Sequence, residues 1–382
     1  MFGEESIMPS YVRIPITNIN MGGDYTGVVT VGVGESARSL NLILDTGSSA
    51  LAVSDKKYSP VLGTGTAATN LGQVESYGDG SSFAGAVLRD TVQIGDVAGT
   101  NVPVAVAYDA TDSMFRGADG ILGLAYQGLD DAFLLPGVTW PEKYTPSQIE
   151  HGKRTTVVPC LMQLANEGLL LEKMAFRTRR SFVRVGPTPG TDPLNEGTFI
   201  LGGGEEATDL YSGTFQTAAV LADDWYSTNL VSVGIGDQQF PVSSRPQAGM
   251  PTNSIVDSGT NTLVLGPTII NRILSVLPTA QQELLKRSMG GRLIPNTDLD
   301  LSKWPTLSFT LQGISGGHDV TLQVPPENYW QLDAGEAGQA IAAISPAQAD
   351  GGAILGLPLM NGYYTIFDGT AGLGVIKFAT PK

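Results

Sequence analysis

The chain has 382 residues, of which 42% are hydrophobic and 15% are charged. This length is sufficient for two ordinary domains, and the composition is that of a globular protein, which excludes a disordered or fibrous chain. The formal net charge of −15 argues against a nucleic-acid partner, because phosphate binding requires clustered Lys and Arg side chains.

The N-terminal segments predict a series of short strands. The chain contains 48 Gly and 23 Pro, spread rather than clustered, which is typical of a mostly β protein with many turns. Alternating or continuous apolar runs at residues 11–16, 27–34 and 40–44 read as three strands. The third strand ends in Asp45, and Gly47 two residues later permits a sharp reversal of the chain.

Two further features of the first half concern the region after this turn. Residues 76–81 read Ser-Tyr-Gly-Asp-Gly-Ser, and residues 119–124 contain an apolar Ile-Leu-Gly-Leu run. Residues 126–157 lack a clear period and are expected to form a long surface excursion. A short helix is predicted from Pro159 to Gly168, with Cys160 as a small residue in or near the core. The basic run 173–184 is interpreted as a solvated strand and turn.

The second half repeats the pattern of the first. Residues 255–261, Ile-Val-Asp-Ser-Gly-Thr-Asn, place Asp257 at the end of an apolar strand, as Asp45 is placed in the first half. Downstream, residues 352–357 repeat the Ile-Leu-Gly-Leu run. A supporting helix is predicted at 267–277, and strands at 304–311 and 363–368. One Asp-Gly turn alone would have been an ordinary tight turn, whereas two copies with matching downstream strands predict two related lobes.

These motifs resemble those of the pepsin-type aspartic proteases. Asp45-Thr46-Gly47-Ser48-Ser49 and Asp257-Ser258-Gly259-Thr260 match the two catalytic loops of that family, and each Ile-Leu-Gly run matches the segment that threads behind a loop. The resemblance implies an all-β, bilobal fold with a central cleft and a few short helices. It implies an N-terminal lobe at 11–200 with Asp45 and the flap, and a C-terminal lobe at 201–382 with Asp257.

Two carboxyl groups about 3 Å apart cannot both ionise, so the pair retains a proton and can act as acid and base together. The resemblance therefore implies an endopeptidase that activates water between Asp45 and Asp257, at acidic pH and with sensitivity to pepstatin. No covalent intermediate is needed, and the pair titrates as a unit.

The remaining residues of the two loops are assigned supporting roles by the resemblance. Ser48 and Thr260 are expected to hydrogen-bond the carboxylates, and Thr46 and Ser258 are expected to brace one loop against the other. Gly47 and Gly259 complete the turns.

Residues 76–81 resemble the family's flap, and the resemblance implies a hairpin that closes over the substrate, with Tyr77, Gly78 and Asp79 at its tip. Relatives carry a Trp that hydrogen-bonds the flap tyrosine, whereas this chain has Ala52, so Tyr77 is expected to lack its usual partner. Asp79 matches an Asp in fungal relatives that accept Lys beside the scissile bond, although a simple turn-forming Asp is an equal alternative. Apolar cleft positions of relatives are matched by Ile121, Met114, Phe115 and Trp225, which could equally be ordinary core.

Two other functions remain open from the sequence. A catalytically inactive pepsin-like binding or inhibitor protein would keep the fold but is disfavoured by the presence of both acids and their hydroxyl partners. Phosphatase or metal chemistry is weaker still, since no ligand cluster is evident.

We expect a monomer that acts on polypeptides, with no cofactor, no metal, no nucleic-acid partner and no membrane partner. The single Cys160 permits no intramolecular disulfide and no signal peptide is recognised, which leaves a cytoplasmic protein or a mature secreted form open.

Overall fold

A computed structural model describes residues 11–20, 23–63, 65–314 and 317–382. The strands of the first half are Val12–Thr17 (β1), Thr26–Val31 (β2), Arg38–Asp45 (β3), Leu51–Ser54 (β4), Ala67–Ser76 (β5), Ser82–Ile94 (β6), Val97–Ala110 (β7), Gly120–Gly123 (β8), Asp131–Leu134 (β9), Lys153–Thr156 (β10), Lys173–Arg177 (β11) and Glu196–Leu201 (β12).

The second half continues with the following strands: Tyr211–Ala219 (β13), Ser227–Thr228 (β14), Leu230–Ile235 (β15), Gln238–Pro241 (β16), Ser254–Val256 (β17), Leu263–Leu265 (β18), Ile294–Pro295 (β19), Leu307–Leu311 (β20), Val320–Val324 (β21), Trp330–Leu332 (β22), Gln339–Ala342 (β23), Ile344–Pro346 (β24), Ala353–Leu355 (β25), Tyr364–Asp368 (β26) and Val375–Pro381 (β27). The α-helices of the described ranges are short and lie at Pro146–Glu150 (α1), Cys160–Asn166 (α2), Pro267–Val276 (α3), Thr279–Met289 (α4), Pro326–Tyr329 (α5) and Leu357–Met360 (α6). The predicted mostly β architecture is therefore confirmed.

Most strands of the first half belong to one sheet that closes on itself. Its order runs β10-β9-β5-β6-β7-β4-β8-β3-β2-β1-β12-β11-β26-β27-β13, and β6 also pairs with β2. The extra pairing joins Thr30 to Gln93 and Val31 to Val92, so the six strands from β6 to β2 form a closed ring. Apolar side chains such as Leu42, Val53 and Val104 are fully buried there, which removes apolar surface from water.

Apart from β13, β26 and β27, which belong to the large sheet, the second half is built from three smaller sheets and the longer helices. These sheets have the orders β14-β17-β25-β18-β24, β16-β15-β20-β21 and β19-β23-β22. Helix α3 begins at Pro267, whose missing N–H costs nothing in a first turn, and it buries Ile269, Ile270 and Ile273 at helical spacing. The predicted helices at 159–168 and 267–277 are thus confirmed.

Two parts of the chain differ from the prediction. Residues 126–157 contain the hairpin β9–β10 and the helix α1, and β9 extends the sheet beside β5. Both strands have four residues, which is too short for a period to show in the sequence. The basic run was predicted to be solvated, but this is wrong for Arg180, which is 8% exposed and donates to the backbone oxygens of Phe182 and Leu332.

The two halves share one continuous sheet, because β11 of the first half pairs antiparallel with β26 of the second. The predicted lobe boundary at residues 200 and 201 falls at the end of β12, next to β11, and stays a prediction. Among the described residues, no helix combines the length and apolar character needed to span a membrane.

A cluster of four charged side chains lies across this shared sheet. Lys377 Nζ lies 2.7 Å from Asp368 Oδ2 and 2.6 Å from Glu205 Oε1, and Lys173 Nζ lies 3.1 Å from the same Asp368 oxygen. Burial alone would raise the pKa of Asp368, but bonds from Lys377, Thr370 and Lys173 hold its pKa well below the usual range. The carboxylate therefore stabilises the junction in its charged form.

We expect Asp368→Asn to lower the free energy of unfolding by about 1–3 kcal/mol at pH 7, the range for hydrogen bonds to charged groups. Because the folded pKa is depressed, this contribution is present above the unfolded pKa of about 4 and disappears as the pH falls further. Thermal unfolding at pH 7 and pH 2 measures it. Asp209→Asn, which removes an exposed partner of Arg13, is the control and should change stability little. Equal destabilisation by Asp368→Asn at both pH values would contradict this account.

Candidate active site

Each predicted Asp loop follows a strand that is flanked by a parallel neighbour. In the first half β3 pairs with β8, so that Asp45 lies opposite Gly123. In the second half β17 pairs with β25, so that Val256, immediately before Asp257, lies opposite Leu355. The repeated Ile-Leu-Gly runs therefore support the two loops in the same way.

The two loops are joined to each other by a symmetric set of hydrogen bonds. The backbone N–H of Thr46 donates to Ser258 Oγ at 3.0 Å, and the N–H of Ser258 donates to Thr46 Oγ1 at 2.9 Å. Each hydroxyl then donates across the interface, from Thr46 to the Val256 carbonyl and from Ser258 to the Leu44 carbonyl. Both side chains are buried, so these bonds form away from competing water and fix the relative position of the loops.

Each Asp carboxylate accepts two hydrogen bonds from residues of its own loop. Asp45 Oδ1 accepts from the Gly47 N–H at 2.8 Å, and its Oδ2 accepts from Ser48 Oγ at 2.5 Å. Asp257 has the same arrangement, with the Gly259 N–H at 2.8 Å and Thr260 Oγ1 at 2.6 Å. The structure thus brings the hydroxyl groups of Ser48 and Thr260 to the carboxylates of their own loops.

The glycines of the two turns allow the carboxyl groups to approach. A Cβ atom on Gly47 would lie 2.7 Å from Asp257 Oδ2, and one on Gly259 would lie 2.2 Å from Asp45 Oδ1. Such distances are shorter than real contacts, so any side chain at either position would displace a carboxyl group. Each Asp therefore lies against the glycine of the opposite loop.

The electrostatics of the pair follow from burial and proximity. Asp45 and Asp257 are 7% and 6% exposed. Burial raises the pKa of Asp45, and the hydrogen bonds from Ser48 and Gly47 oppose this shift. Burial raises the pKa of Asp257 well above its usual range, and the neighbouring charge of Asp45 raises it further. The arrangement can therefore hold one proton between two carboxyl groups, as base and acid chemistry on one water molecule requires.

The predicted flap is the turn between β5 and β6. The Tyr77 N–H donates to the Ser81 carbonyl at 2.8 Å, and Gly80 has a φ of 83°, which favours glycine. The ring of Tyr77 packs against an apolar cluster that includes the fully buried Ala52. Its hydroxyl is buried with no hydrogen-bond partner among the described residues, and the nearby charge of Asp45, after burial, raises its pKa. The Ser48 hydroxyl lies close enough to oppose this rise, and the loss of the usual partner stays a prediction.

The four predicted cleft positions divide into two groups. Met114, Phe115 and Ile121 are buried in the same apolar cluster as Tyr77, next to the first Asp loop. Trp225 comes from the second half and is not part of this cluster. Its indole N–H donates to the Gly47 carbonyl at 2.9 Å, so it contacts the catalytic loop directly.

Several polar residues near the flap were not singled out from the sequence. Glu75 precedes Tyr77 by two residues and therefore shares its face of β5, a signal that the sequence does contain. Neither Asp130 nor Arg116 lies in a local sequence motif. Only the fold brings them to their partners in the flap hairpin, Gln73 and Asp79. Within the described ranges, no group of three or more His, Cys, Asp or Glu side chains is arranged to hold a metal ion.

Comparisons with known proteins place this geometry in a family. The model of the eukaryotic aspartyl protease family matches residues 24–136 and 191–380, which is well over half of the chain. A crystal structure of an aspartic proteinase from Irpex lacteus superposes with a TM-score of 0.70 and 19% identity, covering 98% of each chain. This likeness confirms the predicted bilobal, all-β fold.

Curated relatives agree with the family model. Polyporopepsin of Irpex lacteus is 27% identical over 96% of this chain and 98% of its own length, and pepsin A of Bos taurus is 24% identical over 89% and 80%. Beta-secretase of Strongylocentrotus purpuratus is 24% identical over 89% of this chain, which spans 64% of that protein. The resemblance inferred from the two Asp loops is confirmed, and the chain belongs to the eukaryotic aspartyl protease family, a class of hydrolases.

Proposed function

We propose that this aspartic endopeptidase hydrolyses peptide bonds with water held between Asp45 and Asp257. The observation that carries the proposal is the pair of buried carboxyl groups fixed face to face by the Thr46 and Ser258 hydrogen bonds. One carboxylate takes a proton from the water as it attacks the carbonyl carbon. The other carboxyl group protonates the carbonyl oxygen, and the leaving nitrogen is protonated when the tetrahedral intermediate collapses.

The substrate that fits this geometry is an extended polypeptide lying beneath the flap. Tyr77, Met114, Phe115 and Ile121 form an apolar wall beside Asp45, which supports a preference for apolar side chains next to the scissile bond. Trp225 reaches the same loop from the second half and supports a contact with the substrate from the other side. We expect the enzyme to act as a monomer on such peptides, without nucleic acid.

Three carboxyl groups near the flap, the buried Asp24 and Asp130 and the half-buried Glu75, support function at acidic pH. Burial raises the pKa of Asp24 and of Asp130 to about 7, and burial with the charge of Asp130 raises the pKa of Glu75 to about 8. Asp130 accepts a hydrogen bond from Gln73, whereas Glu75 Oε1 is buried with no partner among the described residues. In acid these groups are neutral and therefore compatible with their burial.

We expect Asp45→Asn and Asp257→Asn each to reduce kcat to less than about 1% of the wild-type value, because an amide cannot exchange the required proton. Hydrolysis of denatured casein and of a fluorogenic peptide, each with and without pepstatin, measures this, and thermal unfolding confirms that each variant is folded. If either folded variant retained substantial activity, the proposed pair would be wrong.

The pH profile tests the hydroxyl partners. We expect the wild-type rate to peak below about pH 5, where the pair holds one proton. Ser48→Ala and Thr260→Ala each remove a hydrogen bond to a charged carboxylate, so the acid limb of kcat against pH should move to higher pH. Ser49→Ala, whose hydroxyl donates to the Tyr126 carbonyl instead, is the control. An unchanged acid limb in both loop variants would argue against the role of the hydroxyls.

The buried carboxyl groups predict that stability falls with rising pH. A raised folded pKa means that the folded state retains protons that the unfolded chain has lost, so stability decreases between about pH 4 and the folded pKa near 7 or 8. The neutral variants Glu75→Gln and Asp130→Asn should therefore show a shallower fall in Tm over this range. Glu142→Gln, at an exposed position, should keep the wild-type slope. Identical slopes in all four proteins would contradict the assignment.

A further inference from the structure

The outer corner of the cleft is formed by the flap and the loop between β7 and β8, residues 111–119. The two are bonded at the start of the loop, where the Thr111 N–H donates to the Ser82 carbonyl and the Ser82 N–H donates to Thr111 Oγ1. Further along, Met114 and Phe115 pack in the cluster that contacts Tyr77. Flap and loop therefore form one wall, and a peptide lying over Asp45 would pass along it.

The flap carries one carboxylate at this corner, that of Asp79, and both of its oxygens already have partners. Asp79 Oδ1 accepts from the Ser81 N–H at 2.9 Å and from Ser81 Oγ at 2.6 Å. Asp79 Oδ2 lies 3.0 Å from Arg116 Nη2. Burial would raise the pKa of Asp79, but the bonds from Ser81 and Arg116 outweigh it and lower the pKa, which favours the charged form of Asp79.

Arg116 adopts a backbone conformation that is unusual for its residue type. Its φ is 48°, in the left-handed region, whereas the adjacent Gly117 does not take that conformation. Gly117 is instead confined, since a Cβ atom there would lie 2.0 Å from the Asn20 carbonyl oxygen. The bend therefore directs the Arg116 guanidinium to the flap at a conformational cost, and such outliers concentrate at functional sites.

The charges around Arg116 are acidic. Besides Asp79, the carboxyl group of Asp24 is close enough that the charge of Arg116 opposes the rise in its pKa caused by burial. Asp24 is also influenced by the charge of Asp45, which places this corner near the proposed catalytic pair. A cationic side chain of a bound peptide would be attracted to the same corner, where Arg116 is already bound.

We propose that Arg116 is a specificity-determining residue. Its guanidinium pairs with the Asp79 carboxylate of the flap and therefore disfavours the binding of a cationic peptide side chain at this corner. The proposal rests on the endopeptidase function proposed above. It reverses the expectation from the sequence that Asp79 accepts Lys beside the scissile bond. Both side chains are nearly half exposed, at 44% for Asp79 and 45% for Arg116, so the competition is moderate and a change of charge should be measurable.

The test is a set of otherwise uncharged peptides in which one Lys is moved through each position, with Leu at the same position as the reference. The measured quantity is the ratio of kcat/KM for the Lys peptide to that for the Leu peptide. In Arg116→Gln, which keeps the length and removes the charge, we expect this ratio to rise about two- to fivefold at one position. Arg116→Lys keeps the charge and should resemble the wild type, whereas Arg116→Glu should exceed Arg116→Gln.

Combining Arg116→Gln with Asp79→Asn should remove the gain, since the carboxylate that attracts Lys is then absent. Three results would overturn the proposal: no position with a raised ratio in Arg116→Gln, a gain that persists in the double variant, or a uniform change for all peptides. The last of these would mean that the ion pair only holds the flap in place.

A separate measurement distinguishes failure of this proposal from failure of the proposed function. If the wild type cleaves none of the peptides, calorimetry measures the binding of the Lys and Leu peptides to Asp45→Asn and to Asp45→Asn/Arg116→Gln. The affinity ratio should shift towards Lys in the second protein by the same two- to fivefold. Equal ratios in the two proteins, or no binding to either, would reject the role of Arg116 independently of turnover.

Discussion

The structure depends on keeping two buried carboxyl groups in contact, an arrangement that electrostatics opposes. Neither burial nor a neighbouring negative charge favours ionisation, so the pair would separate or be neutralised without a rigid support. That support is the exchange of backbone and hydroxyl bonds between Thr46 and Ser258, together with the space left by Gly47 and Gly259. The parallel strands behind each loop extend this support into both lobes.

The sequence could predict those parts that are repeated or periodic. The two Asp loops, the strands behind them and the helix at 267–277 follow from local pattern, and the structure has them at those positions. The hairpin β9–β10 could not be predicted, because both strands are short and β9 is stabilised by pairing with β5, a distant part of the chain. The burial of Arg180 has the same origin, since its carbonyl acceptor at Leu332 lies in the other half.

The polar environment of the flap was the least predictable part of the site. Trp225 was assigned to the cleft by resemblance, but its bond to Gly47 was not, and Arg116 was not singled out at all. Arg116 lies 37 residues from its partner Asp79 and carries no motif. Composition indicated an excess of acids, but it could not show that Asp24 lies near the charges of Asp45 and Asp79, or Glu75 near the charge of Asp130. These contacts arise from the closure of the sheet, which brings distant strands to one wall.

The strand β5, which forms one arm of the flap hairpin, does not have the same number of neighbouring strands along its whole length. Near its base the strand has neighbours on both edges, since Leu71 and Gly72 pair with β9 as well as with β6. Beyond Gly72 only β6 remains, and the turn at Gly78 and Gly80 has open space around it. In the other arm of the hairpin, β6 pairs with β7 as far as Phe83. The tip that carries Tyr77 and Asp79 is therefore the part of the hairpin with the fewest strand partners.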